Sequence, residues 1–279
     1  MDFIKDINLE DLPKKRYKVI KYALDFPHEV ITMKTTDLAN RLEVDPLTVF
    51  KACKEVGLDG FRDLKDKLKA QKLRSPMDKF LTEFAVNTGP EEGIRNSFAK
   101  DLEMLTGTIG RINPENIQKS AEAIIHSAQT YVIGLGYIGN VANYLQAIVR
   151  SHVPQIHSVT EYNGMLFDYM THFKEGDVVL AIGFDKCQRQ TIKAFKRAKA
   201  AGATTIALTD SEYSPLSGDA DISLLVNSAP DYFLSPLIGA YSVCNALLHC
   251  IVEMTRPNST QRSAEYNRLL AEENVYFNE

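Results

Sequence analysis

Apolar residues recur every three or four positions up to about Ala128, then gather into short continuous runs separated by amphipathic stretches. The first pattern predicts helices and the second predicts strands that alternate with helices. In the first part, Tyr17, Ile20, Tyr22 and Leu24 mark a helix over residues 12–29, with Pro13 suited to its first turn and "FPHE" as its stop. In "TTDLANRL", Thr35 or Thr36 can cap a helix carrying Leu38, Ala39 and Leu42. The turn "EVD" keeps one apolar residue, Val44. Asp45 then caps a helix over 46–56 with Pro46 at its first position, where a missing N–H costs nothing. Val49, Cys53 and Val56 form its inner face, while Thr48, Phe50, Lys51 and Lys54 face outward and Gly57 ends it. A helix over 60–72 follows, with Phe61, Leu64 and Leu68 inward and its mixed charges outward.

After Ala128 five apolar runs stand out: "TYVIGLG", "PQIHSVT", "DVVLAIG", "ATTIALTD" and "ADISLLV". Amphipathic helices separate the first four. Runs apolar on both faces imply a parallel sheet covered on two sides. The final helix, from "LSPLIGAYSVCNALLHCIVEM", is apolar nearly all round, so it lies deep in the fold or in a subunit interface. Between the two parts, Pro76 and Pro90 read as breaks, and Pro114 opens the helix "PENIQKSAEAIIHSA". "IRNSFAKDLEMLTGTIGRI" reads as one helix with Phe98, Leu102, Leu105 and Ile109 in a stripe. That stripe suits either another subunit or the chain's own body. The expected division is a head of residues 1–75, a connection over 76–112 and a body of 113–279.

Composition is that of an ordinary globular protein, 44% apolar and 24% charged. Charge changes the picture only when divided: the head carries +3 and the rest −7. That permits nucleic-acid binding by the head without requiring it. The N-terminal stretch has no apolar run suited to a signal peptide, and no run of apolar residues suggests a membrane span. The four cysteines form no C-x-x-C pair, so reduced, buried thiols in a cytoplasmic protein are expected, with no metal and no cofactor. "GLGYIG" has the spacing of a dinucleotide loop, but the acidic residue that should follow strand two is represented only by Glu161, 22 residues beyond Gly139. A lone match of this kind is weak.

Two short helices joined by a three-residue turn, with a small residue near the crossing, match a DNA-binding helix-turn-helix. A generic helical bundle with a solvated lysine face shares the pattern. In the DNA-binding geometry Leu47, Thr48, Phe50 and Lys51 would face base edges, and Phe50 could instead pack on the next helix. Lys34, Lys54 and Arg62 would face phosphates, a term that weakens with salt, and Thr36 is a further DNA-binding candidate.

With both halves placed, the chain resembles the RpiR family of bacterial transcription regulators, which join a helix-turn-helix to a sugar isomerase (SIS) domain. "DLANRLEVDPLTVFKACKEVGLDGFRDLK" carries the head resemblance; "YVIGLG", "EGDVVLAIG", "AFKRAKAAGATTIALTD" and "SPLSGDADISLLV" carry that of the body. The resemblance implies an all-α DNA-binding head and an α/β body, a five-stranded parallel sheet between helices. It also implies binding to double-stranded operator DNA and to a small-molecule effector, in a homodimer or homotetramer.

Position by position, the family's recognition arginine is Lys51, which lacks the planar bidentate fork for guanine. The family's first-loop serine is Ile138, beside Gly136 and Tyr137. Its second loop, S-x-S-G-x-T, is represented by Gly183, Phe184, Asp185, Lys186, Cys187 and Gln188, so every hydroxyl is missing. A carboxylate at 185 facing a phosphate dianion at ~4 Å and an effective dielectric of ~20 is repelled by about 4 kcal/mol per pair of unit charges. Lys186 and Arg189 offset this only if they turn inward. The expected site is therefore altered from a sugar-phosphate cradle, with Glu161, Asp185, Lys186 and Gln188 as its polar group. An oligomerising body without an effector is the alternative, and a sugar-phosphate isomerase using Glu161, His157 or His249 as general base is a further one.

Overall fold

The structure is a computed structural model that describes residues 9–72, 89–162, 164–184, 187–228 and 235–273. The chain falls into two compact units, one of residues 1–99 and one of residues 100–228 and 235–279.

In the N-terminal unit, α1 (Lys14–Asp25) and α2 (Pro27–Thr32) replace the single helix expected over 12–29. Phe26 leaves the helical region at φ −125°, ψ 53°. A residue preceding proline is driven out of that region, and Pro27 then opens the next helix where its missing N–H is harmless. Next come α3 (Thr35–Arg41), α4 (Pro46–Glu55) and α5 (Phe61–Lys72). The cap of α3 also differs from the expectation. Neither threonine caps it; the Asp37 carboxylate reaches back to accept from the Lys34 N–H at 2.8 Å, and the helix starts at Thr35. The core comprises Val19, Ile20, Ala23, Val30, Leu38, Ala39, Val49, Ala52, Cys53, Leu64 and Leu68, all essentially inaccessible. Gly57 ends α4 at φ 77°, a conformation that favours glycine.

In the C-terminal unit, β1 (Thr130–Ile133), β2 (Ile156–Val159), β3 (Val178–Ile182), β4 (Thr204–Thr209) and β5 (Ile222–Leu225) form one sheet in the order β2-β1-β3-β4-β5. Every pairing is parallel. On one face α7 (Pro114–His126), α8 (Gly139–Val149) and α11 (Ser235–Glu272) cover Val132, Ile156, Leu180, Ile206 and Leu224. On the other, α9 (Gly164–His172) and α10 (Arg189–Ala200) cover Tyr131, Ile133, Val179, Ala181 and Ala207. Residues that alternate along each strand thus feed two cores, which is why the strands read as unbroken apolar runs.

Residues 237–256 of α11 are apolar and long enough to cross a membrane by composition. Here the helix packs against α7 and α8, burying Ala240, Val243, Cys244, Leu247 and Ile251. One further helix, α6, spans Gly89–Arg111. Pro90 lies in its first turn and so opens a helix rather than breaking the chain; Pro76 lies outside the described residues. From Lys100 onward α6 belongs to the C-terminal unit. Met104 and Thr108 are buried there, and the Thr108 hydroxyl accepts from the Asn227 N–H at 2.9 Å.

Candidate DNA-binding and effector sites

The second helix of the N-terminal pair, α4, is held at its start by Asp45. The carboxylate accepts from the Thr48 N–H at 2.8 Å and from the Thr48 hydroxyl at 2.5 Å. These bonds, the hydroxyl's foremost, hold the Asp45 carboxyl below its ordinary range. Thr48 therefore spends its donor on the cap and is half-buried. Val49, Ala52 and Cys53 point to the core, where burial pushes the Cys53 thiol up to about 12, leaving it an unreactive packing group.

The opposite face is open. Leu47 is 57% exposed and Phe50 44%, with Lys51 and Lys54 beside them. The Phe50 ring also lies over Gly60, where an added Cβ would stand 3.4 Å from its edge, and the Lys54 ammonium sits 5.8 Å from the ring centroid. Lys54 also pairs with Asp59 at 3.2 Å. Lys34, Thr36 and Arg62 are exposed.

In the C-terminal unit the carboxyl ends of the strands bring three loops together. After β1, the Gly134 N–H donates to the Val159 carbonyl at 3.1 Å, and Gly136 turns at φ 68°. Gly139 abuts Thr160: a Cβ on it would stand 2.9 Å from the threonine Cβ. The Gln188 amide donates to the Leu135 carbonyl at 3.3 Å, tying the loop after β3 to the loop after β1. Glycine at 139 is thus set by close approach, and the glutamine is spent on bracing.

The sequence-derived residues divide between core and surface. Ile138 and Phe184 are buried in the apolar core and present only backbone to the loops. Gly136, Tyr137, Glu161 and Gln188 are exposed; Asp185 and Lys186 lie outside the described residues. Gly183 is buried, and a Cβ placed on it would stand 2.4 Å from Cys187 Sγ and 2.9 Å from Leu216 Cδ1. The sulphur and a leucine methyl therefore fill the volume into which a residue-183 side chain would project. Burial, with Asp210 adding, pushes the Cys187 thiol up to about 12.

Sequence reasoning missed the neighbouring end of β4. Asp210 is buried and its carboxylate accepts from the Ser228 hydroxyl at 2.7 Å. The Arg111 guanidinium donates to the carbonyls of Asp210 and Val226, each at 2.9 Å. These partners lie 99 and 115 residues from Arg111, and no local spacing signals them.

His157 does not belong to the loop cluster. Its Nε2 lies 2.8 Å from the Gln129 side chain, which precedes β1, and its ring stacks on Tyr131 with centroids 5.8 Å apart. His249 is exposed on α11. Among the described residues no group of three His, Cys, Asp or Glu side chains is arranged to hold a metal ion.

A helix-turn-helix with an open face on its second helix, and a parallel α/β unit whose loops converge at the strand ends, define a DNA-binding regulator with a sugar-isomerase-type body. Residues 4–75 match the helix-turn-helix domain of the rpiR family, and residues 123–252 match the SIS domain. An HTH-type transcriptional regulator of Caldanaerobacter subterraneus subsp. tengcongensis is 30% identical over 77% of this chain and 76% of its own length. The chain belongs to the RpiR family of transcriptional regulators. Two solved structures are similar. The sugar isomerase domain of an RpiR transcription factor from Sphaerobacter thermophilus is 26% identical with a TM-score of 0.56, covering 61% of this chain and 96% of that one. The Vibrio vulnificus NanR protein, complexed with ManNAc-6P, is 19% identical with a TM-score of 0.60, covering 94% and 95%.

Proposed function

We propose that this regulator reads operator DNA through α4 and senses a small metabolite at a strand-end site altered from a sugar-phosphate cradle. Leu47, Phe50 and Lys51 face base edges, and Thr48 holds the start of α4 through its cap with Asp45. Lys34, Lys54 and Arg62 face phosphates, and Thr36 is a further DNA contact. The exposed face of α4 supports this assignment. It acts in the cytoplasm as a homodimer or homotetramer, because one small helix-turn-helix reads too few bases and symmetric operators match symmetric oligomers. It is not an enzyme. His157 faces Gln129 rather than the loops, so it is poorly placed to act as an isomerase's general base at the strand ends.

The observation that carries the altered site is the filling of the space beside Gly183 by Cys187 and Leu216. A phosphate cradle needs hydroxyls and amides that donate to a dianion. Here a hydroxyl-bearing side chain at 183 has no room, and the Gln188 amide is engaged with Leu135. The effector is accordingly neutral or amine-bearing, held by Glu161 and the loop backbone around Gly136, with Gln188 bracing the two loops and Asp185 and Lys186 contributing charge.

Thermal shift of the full chain tests this with glucose, glucosamine, glucose 6-phosphate and glucosamine 6-phosphate. A ligand that binds only the folded state raises the melting temperature. The expected result is a larger shift with an unphosphorylated sugar than with its phosphate. Strong stabilisation by either phosphate overturns the reading.

A further inference from the structure

Helix α10 carries five cations, Arg189, Lys193, Lys196, Arg197 and Lys199, and no carboxylate. They stand on a part of the chain whose net charge is −7. Thr191, Ala194, Phe195 and Ala198 turn to the core, and all five cations are exposed. Lys196 and Lys199 are matched locally, the first by Asp219 at 3.5 Å and the second by Asp221. Arg189, Lys193 and Arg197 make no ion pair among the described residues.

These three lie four residues apart, so they form one row along the helix, about 6 Å between neighbours and about 12 Å in all. The arrangement works against the helix that holds it. Like charges four residues apart are destabilising, and Arg189 opens the helix, where the macrodipole disfavours a cation. A linear anion laid along the row removes both penalties. The outer face of α10 has no large exposed apolar side chain to anchor a protein partner. Its apolar residues pack into the core, which leaves no apolar face to enter a bilayer. One strand of DNA carries a charge per about 3.4 Å of axis, so the row spans about three phosphates.

We infer that Arg189, Lys193 and Arg197 form a second DNA contact, one that holds phosphates of the bound duplex without reading its sequence. The contact rests on the regulator reading in one respect, that α4 brings the chain to DNA. Arginine at both ends of the row suits phosphate, because the planar guanidinium can donate to two of its oxygens at once.

Fluorescence anisotropy of the full chain tests it, over a potassium chloride series, on a duplex from the gene's own promoter and on a random-sequence duplex of equal length. Arg189→Gln, Lys193→Gln and Arg197→Gln together should lower the slope of log K against log salt by about 2.7 on both duplexes, at about 0.9 per phosphate. The ratio of the two affinities should stay within about twofold, since phosphate contacts carry no sequence information. Lys193→Gln alone should lower the slope by about 0.9, and it decides the matter if the triple variant misfolds. Arg189→Lys, Lys193→Arg and Arg197→Lys together keep the charge and should keep most of the slope. A glutamine triple variant with the wild-type slope overturns the row. If that variant instead loses binding to vesicles of phosphatidylserine and phosphatidylcholine, the row belongs to lipid headgroups. The two duplexes separate the two claims: equal wild-type affinity for both counts against the regulator reading, whatever the slope does.

Discussion

Gly183 and Cys187 occupy one space: the sulphur stands where a side chain on residue 183 would begin, 2.4 Å from an ideal Cβ. The glycine is not there for its backbone, since its φ lies outside the left-handed region. It is there because its neighbour four residues on has taken the room. Gly183→Ser should therefore cost about 1–3 kcal/mol by overpacking. Cys187→Ala should relieve much of that, so the two changes are strongly non-additive. A double-mutant cycle by urea denaturation measures this, and additive effects would show that the contact carries no strain.

In the head, the proposed placement of Lys51 at a base edge predicts that Lys51→Ala weakens binding to the protein's own promoter and relaxes its sequence preference. Lys54→Ala should act mainly through phosphate and reduce the slope of log K against log salt by about 1. Gel shifts over a salt series distinguish the two. Unchanged behaviour in both would remove α4 from the groove.

Arg111→Ala should destabilise the C-terminal unit by about 1–3 kcal/mol, since two partly buried carbonyls lose a charged donor. Thermal denaturation reads this directly. The same bonds make Lys100 a better start for a separate C-terminal fragment than Asn113: a cut at 113 would discard Arg111 together with Thr108.

Acid should strip away part of the sheet's stability through Asp221. Burial pushes its carboxyl up, but the Lys199 ammonium and the Thr205 N–H and hydroxyl outweigh that and hold it below the ordinary value of 3.8. A depressed carboxyl contributes its stability in full above the ordinary value, and loses it as pH falls through the folded one. Asp221→Asn should cost about 1 kcal/mol near neutrality, the low end for a charged acceptor because the carboxylate is exposed. It should also flatten the fall in melting temperature between about pH 5 and pH 2. An acid limb as steep as the wild type's would assign that loss to other carboxyls.

Much of the architecture was legible in the residues. Strands such as "DVVLAI" are buried on both faces, so their apolar runs are continuous, and Asp45–Pro46 and Gly57 mark the ends of α4 by local rules. Local rules fail where two local solutions compete. Thr35, Thr36 and Asp37 all offer cap chemistry, and the backward reach of Asp37 sets the start of α3. They fail again where a partner is distant: nothing around Arg111 announces Asp210, and nothing at Ile138 or Phe184 says that each turns into the core. The missing loop hydroxyls were plain in the sequence. That Cys187 and Leu216 fill the vacated volume required the folded chain.

The all-parallel sheet also governs how the protein is made. The N-terminal unit includes contacts between helices adjacent in sequence, α3 with α4 and α4 with α5, and short-range contacts form quickly. Thr130 of β1, by contrast, must await Val178 of β3 before its inner edge is paired, with every residue of β1 buried once that happens. At about 5–20 residues per second that delay lasts roughly 2–10 s on the ribosome. The emerging second half thus exposes a sticky strand while the first half is already finished, which makes it the part of the nascent chain most in need of a chaperone.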